Sequence, residues 1–161
     1  MTTQIDPEHA AFIQGPVSVI AASRDAAATP HLVRGLGCRL CEQRRRVTIF
    51  LAASQAQAVL ADLRANGTIA VVFSQPSTHR TVQLKGDDAS IGVASASDLA
   101  AVAAYQDMMV GELRSWDFPE SFTRSLLAFI PDDVLTVTFT ISAAFSQTPG
   151  PKAGAPLETR P

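Results

Sequence analysis

The sequence is poor in the groups from which many metal and nucleophilic centres are built. It has two cysteines and three histidines in 161 residues. Two cysteines make no disulfide framework, and a structural zinc site needs four ligands at set spacings. Cys38-Arg39-Leu40-Cys41 is a lone C-x-x-C pair, and only His9, His31 and His79 remain to complete a zinc set. Two ordinary thiols and no metal are therefore expected. Charge is also scarce: 17% of residues are charged, with 13 Lys+Arg against 15 Asp+Glu. The net charge of −2 provides no global basic field for nucleic acid. Arg44-Arg45-Arg46 follows a turn and reads as a solvated hairpin tip. No apolar run approaches the ~18 residues of a membrane helix. The start, MTTQIDPEHAAF, lacks the basic region and apolar stretch of a secretory signal, so a cytoplasmic protein is expected.

What is plentiful is apolar surface. Hydrophobic residues make up 47% of the chain, enough for one domain with a real core. Low charge content on such a chain suggests that part of the surface is covered, as in an oligomer. The last segment, Thr148 to Pro161, is Pro/Gly-rich and without period. The expected organisation is one domain over residues 1–147 and a tail over 148–161.

Along the chain, Asp6-Pro7-Glu8 reads as a helix start, and Gly15-Pro16 ends that helix. Val17–Ala22 and His31–Cys38 read as a hairpin, and Val47–Ala52 as a third strand. Ser54 reads as the cap of a helix from Gln55 to Arg64, closed by Asn66-Gly67. Ser97-Asp98 opens a long helix to about Leu113, and Pro119–Leu127 is a short one. Val134–Phe145 is the cleanest alternating strand. Trp116, Phe118 and Phe122 bracket a loop after the long helix; core packing is the simplest reading, and a dimer contact or a cofactor cover are the others.

The stretch from Thr68 to Gly86, TIAVVFSQPSTHRTVQLKG, is the most informative. Two β-branched runs flank a Pro/Ser/Thr loop, and the second run alternates. Val82 and Leu84 point one way, and Thr81, Gln83 and Lys85 the other. Such a strand turns a polar, cationic wall toward whatever lies outside the core. Short turns between the first strands argue for antiparallel pairing.

Three of these pieces resemble the pyridoxamine-5′-phosphate-oxidase-like proteins, the FMN-binding split-barrel family. They are the hairpin VSVIAAS…ATPHLVRGLG, the strand–helix step VTIFLAASQAQAVLADLRANG and the pair IAVVFSQPSTHRTVQLKG. The resemblance covers roughly residues 10 to 145. It implies a mainly β, α+β fold: an antiparallel, six-stranded split β-barrel with flanking helices. It also implies a homodimer with FMN in the interface, the phosphate held by basic and hydroxyl side chains of the strands and the strand–helix step. In this sequence the corresponding candidates are Arg34, Ser54, Gln55, Gln57, Thr78, Arg80, Thr81 and Lys85. Val59 stands where the family's step carries Lys, and the tail lacks the Arg-rich end of the true oxidases. The implied function is an FMN-binding oxidoreductase with flavin-mediated hydride or electron transfer. The alternative is a non-catalytic flavin- or haem-binding protein on the same fold, or a dimer without cofactor. His31 and His79 are candidates for an acid, a flavin contact or an axial ligand, or are hydrogen-bonded wall residues. No catalytic dyad and no substrate are legible; the resemblance implies neither nucleic-acid nor membrane partners.

Overall fold

A computed structural model describes residues 2–157. The fold begins with α1 (Pro7–Ile13), where the Asp6 carboxylate accepts the His9 N–H at 2.8 Å and Pro7 takes a first-turn place whose N–H has no helical partner. The strands that follow are β1 (Ser18–Arg24), β2 (Pro30–Arg34), β3 (Cys38–Leu40) and β4 (Arg46–Ala52). After α2 (Gln57–Asn66) come β5 (Ile69–Ser74), β6 (Thr81–Gly86) and β7 (Ser90–Val93). The helices α3 (Ala96–Arg114) and α4 (Glu120–Leu126) precede β8 (Val134–Thr140) and β9 (Ala143–Ser146). The result is an α+β protein with two antiparallel sheets, in the orders β2-β1-β5-β6-β9 and β3-β4-β8-β7.

The sequence predicts about six strands, whereas the described residues contain nine. Two of the three additional strands have one cause: long extended segments leave one sheet midway and enter the other; the third is the short β7, which pairs with β8. His31–Cys38 divides into β2 and β3, and Val134–Phe145 into β8 and β9. At the second corner Ile141 N–H donates to Arg45 O and the next residue, Ser142, donates to Lys85 O, so neighbouring residues pair with different sheets. Alternation continues through such a bend, and periodicity alone does not reveal it. Two corners depend on glycine. Gly37 has φ +103°, and a Cβ there would lie 2.9 Å from the Tyr105 ring. A Cβ on Gly86, where β6 ends, would meet Phe139 at 2.5 Å and Thr140 O at 2.7 Å. No hydrogen-bonded ladder joins the two sheets into a closed barrel among the described residues.

The core lies between the sheets. Val19, Ala21, Val71, Phe73 and Leu84 come from the five-stranded sheet, and Val47, Ile49, Leu51, Val137 and Phe139 from the other; all are fully buried. Helix α2 packs against β1, β2 and β7. It starts later than predicted, with Ala56 as its N-cap and no side-chain cap bond, so Ser54 is not its cap. Helix α3 starts two residues earlier than the Ser97-Asp98 cap implied. Ser95 and Asp98 form a reciprocal capping box, so Asp98 lies inside the first turn. Tyr105 of α3 is buried and donates its hydroxyl to Val17 O at 2.7 Å, fixing the helix to the entry of β1; burial pushes its ionisation upward. No helix of the described residues is long and apolar enough to cross a membrane.

The Pro/Gly-rich segment returns along β9. Gly154 donates to Ser146 O at 2.7 Å, Ser146 to Ala155 O at 2.9 Å and Leu157 to Ala144 O at 2.9 Å. These bonds use backbone groups that an edge strand otherwise leaves open. The rest of the expected tail, 158–161, lies outside the described residues.

Candidate functional site

Strand pairing assigns every residue of the five-stranded sheet to one of two faces. The inner face is core. On the outer face, Arg34, Ile20, Val72, Gln83 and Phe145 stand side by side in one row across β2, β1, β5, β6 and β9. The next row is Leu32, Ala22, Ala70, Lys85 and Ala143. Ser18, Ser74 and Thr81 border the first row on its other side. Ile20, Ala22, Ala70, Val72 and Phe145 are half-buried, and Leu32 is 68% exposed.

Charge on this face has one sign. Its strand positions include Arg24, Arg34 and Lys85 and no carboxylate. None of the three forms an ion pair among the described residues. Arg34 Nη1 donates to Ser18 Oγ at 3.3 Å, and Lys85 Nζ sits 5.2 Å from the Phe145 ring centroid. A chain of net charge −2 thus presents a cation-bearing face with a flat apolar floor.

The eight sequence candidates fall into three groups. Arg34, Thr81 and Lys85 share the outer face. Thr81 Oγ1 is hydrogen-bonded to Ser74 Oγ at 2.8 Å, and the Thr81 N–H donates to Thr148 Oγ1 at 3.0 Å. Thr78 and Arg80 belong to the β5–β6 turn. Thr78 donates to Gln75 Oε1 at 3.0 Å; Arg80 turns toward α1, 3.0 Å from Glu8 Oε1 and 4.5 Å over the Phe12 ring. Ser54, Gln55 and Gln57 occupy the exposed step between β4 and α2. There the Ser54 N–H and hydroxyl both donate to the Asp133 carboxylate, at 3.0 and 2.5 Å. Those two donors are already committed to an internal anion. Val59, where the resemblance implies a lysine, is 1% exposed and part of the core.

Other candidates are placed elsewhere. His31 points inward, where its Nδ1 lies 2.7 Å from Asp62 Oδ2; Ser23 donates to the same oxygen at 2.6 Å. The hydroxyl and the imidazole share one carboxylate oxygen instead of forming a Ser–His–Asp relay. These bonds, first Ser23 and then His31, hold the Asp62 carboxyl below the ordinary aspartate value. The arrangement ties α2 to the β1–β2 hairpin. His79 is exposed in the turn with φ +59°, its ring 6.2 Å from Trp116. Trp116, Phe118 and Phe122 are not core, as the simplest reading had them: they are 50%, 41% and 43% exposed. Trp116 and Phe118 lie in the connection between α3 and α4 and Phe122 within α4, and a stacking contact of 4.7 Å joins Phe118 to Phe122.

Cys38 and Cys41 are separate thiols in different surroundings. Cys38 donates to Ile13 O, and burial pushes it up to about 12. At Cys41 burial raises the value, but backbone N–H groups of Arg45, Arg46, Gln43 and Arg44 outweigh it, and the net shift is downward.

The sequence placed Gln83 on the same wall as Thr81 and Lys85, but it did not reveal Arg24 and Phe145 as parts of that face. A signal for Arg24 existed. It follows Ser18, Ile20 and Ala22 in period two, but the predicted strand stopped at Ala22. Phe145 was legible only as the end of a strand whose sheet the sequence does not reveal.

No protein-family model and no curated protein matches this sequence. Solved structures do. HupZ of Group A Streptococcus superposes with a TM-score of 0.57 at 14% identity, covering 94% of this chain and 100% of that one. An F420 reductase gives 0.58 at 14% identity, covering 87% and 98%. A candidate pyridoxamine 5′-phosphate oxidase from Lactobacillus delbrueckii gives 0.53 at 11% identity, covering 90% and 99%. Identities this low speak to the fold, and the fold of this chain is that of the pyridoxamine 5′-phosphate oxidase-like proteins.

Proposed function

We propose that this chain is a homodimeric flavin-binding redox protein that holds FMN against the outer face of its five-stranded sheet. The observation that supports this reading most is the composition of that face. It has a flat, half-buried floor of Ile20, Val72 and Phe145, flanked by Arg34 and Lys85, with no carboxylate in its strands. A planar ring system needs an apolar floor, and a phosphate with a ring that becomes anionic on reduction needs cations. The donor set of the face fits the flavin in kind. The Ser54 step does not fit its phosphate, because Asp133 already takes both Ser54 donors.

In this reading Ile20 and Val72 support the ring, and Gln83 offers an amide to its polar edge. Arg34 would hold the negative charge of the ring's polar edge, and Ser18, at 3.3 Å, steadies the guanidinium. Bound FMN supplies reversible hydride and electron transfer, which no side chain on the face provides. No titratable acid or base on the face is required. A second copy of the chain covers the floor and excludes water, which accounts for Leu32 at 68% exposure in one copy alone. The fold it shares with an F420 reductase and a candidate pyridoxamine-phosphate oxidase is consistent with redox use.

The test is direct. Purified protein titrated with FMN is expected to quench flavin fluorescence, with one flavin per chain and a dimer by sedimentation. Arg34→Ala is expected to weaken binding about tenfold, the loss of one charge-assisted contact. Leu32→Glu is expected to give a monomer. Protein that takes up no flavin at any concentration tested overturns the proposal; flavin bound without bleaching by reduced nicotinamide leaves a carrier in place of an enzyme.

A further inference from the structure

At one end of the same face lies a cleft of about 230 Å3, bounded by Ala22, Arg24, Thr68, Ala70, Lys85 and Asp87. The small side chains of Ala22 and Ala70, paired across β1 and β5, leave the depression. Their neighbours in the row, Leu32 and Lys85, stand up on either side. We infer that this cleft is a separate binding site for a small organic anion with a short apolar body. The inference uses the outer face as a ligand face and does not depend on the ligand of the central floor being a flavin.

The register sets which cations share an anion. Lys85 is level with Ala22, and Arg24 lies two residues further along β1. With strands about 4.8 Å apart and residues about 3.3 Å apart, their Cα atoms are about 12 Å apart, a gap two long side chains close around one anionic group. Arg34 lies three strands and two residues from Lys85, about 16 Å on the same measure, and serves the other end of the face. The cations therefore divide into Arg34 alone and an Arg24–Lys85 pair. Neither member of the pair has a carboxylate partner among the described residues. The Lys85 ammonium now rests 5.2 Å from the Phe145 ring centroid, a weak contact that an anion displaces.

The floor selects for an apolar body. The lining, with Ala22 and Ala70 in its floor, is mostly apolar, so a bare inorganic anion leaves that surface wet. Asp87 at the rim repels a second anionic group placed away from Arg24 and Lys85, so a ligand whose charge lies in one compact group is favoured over a polyanion.

The test uses phenyl phosphate, inorganic phosphate and phenol as probes of the full-length protein, read by calorimetric titration and by thermal shift. Phenyl phosphate is expected to bind and raise the melting temperature, inorganic phosphate to bind at least tenfold more weakly, and phenol not at all. Arg24→Ala and Lys85→Met are each expected to weaken phenyl phosphate about tenfold; Asp87→Asn is expected to tighten it. Arg34→Ala, at the far end, is expected to leave it unchanged. Failure of phenyl phosphate to bind, or binding insensitive to both Arg24→Ala and Lys85→Met, overturns the proposal. Flavin titration follows a different signal and depends on Arg34, and Arg24 takes no part in the flavin reading, so Arg24→Ala and Arg34→Ala separate the loss of one site from the loss of the other.

Discussion

Replacing Gly86 by alanine tests whether the corner between the two sheets is as tightly packed as its geometry indicates. The new Cβ would lie 2.5 Å from Phe139 Cδ2 and 2.7 Å from Thr140 O. Carbon atoms pack at about 3.5–4.0 Å, so the first contact is short by more than 1 Å. Phe139 is fully buried, and the second contact is backbone of the neighbouring strand. Relief requires β6 and β8 to separate at the place where β6 leaves its sheet. Overpacking of a core costs about 1–3 kcal/mol, and a clash with both backbone and a fixed aromatic ring belongs at the upper end. For a domain of this size about 3 kcal/mol corresponds to a fall of roughly 6–12 °C in melting temperature. The control is Gly111, within α3, where nothing lies within 4 Å of an added methyl group. Gly111→Ala is expected to raise stability by about 0.5–1 kcal/mol, because alanine favours the helix. Thermal and urea melts followed by circular dichroism measure both. Gly86→Ala with unchanged stability, in the same assay that registers the Gly111→Ala gain, would refute the packed corner and the crossing built on it.

Three further outcomes are expected. The Asp62 carboxyl is depressed in the folded protein, so the stability it contributes is present above its unfolded value and is lost as pH falls through the folded one. Asp62→Asn should therefore be less stable than the parent at pH 7, and the gap should close below about pH 4 in melts across pH 2.5–7. Thr123 Oγ1 is a buried hydroxyl without a hydrogen-bond partner among the described residues, and Thr123→Val removes it at nearly constant volume; a gain of about 1 kcal/mol in urea unfolding is expected, and a loss would refute the assignment. Iodoacetamide at neutral pH should label Cys41 and leave Cys38 intact, as mass spectrometry of a digest will show, because thiolate character and access favour Cys41 while burial holds Cys38 as a thiol near 12.

Much of the fold was legible because its causes are local. Asp6-Pro7 specified a helix start, Asn66-Gly67 a helix end with Gly67 at φ +68°, and the period of two in TVQLKG separated Val82 and Leu84 from Thr81, Gln83 and Lys85. The helix starts that were misplaced have local explanations as well. Ser54 has the chemistry of a cap, but Asp133, 79 residues away, takes its hydroxyl. The strand count fell short by two because a crossing segment keeps its alternation while it changes partners, and by one more at the short β7.

The candidate site divided along the same line. Residue type and period determined that Lys85 and Thr81 face away from the core and that residues 68–86 form one wall of the protein. They did not determine what that wall borders. The pairing order β2-β1-β5-β6-β9 joins Arg34, Gln83 and Phe145 into one row although they lie 49 and 62 residues apart in sequence. It also turned Arg80, next to Thr81 in the chain, onto Glu8 and Phe12, and separated the Ser54 step from the cations expected to accompany it. Alternation fixes which face a side chain takes, since that depends on neighbouring dihedral angles. Which residues share the face depends on strand order and register, and those are set by the packing of the whole core.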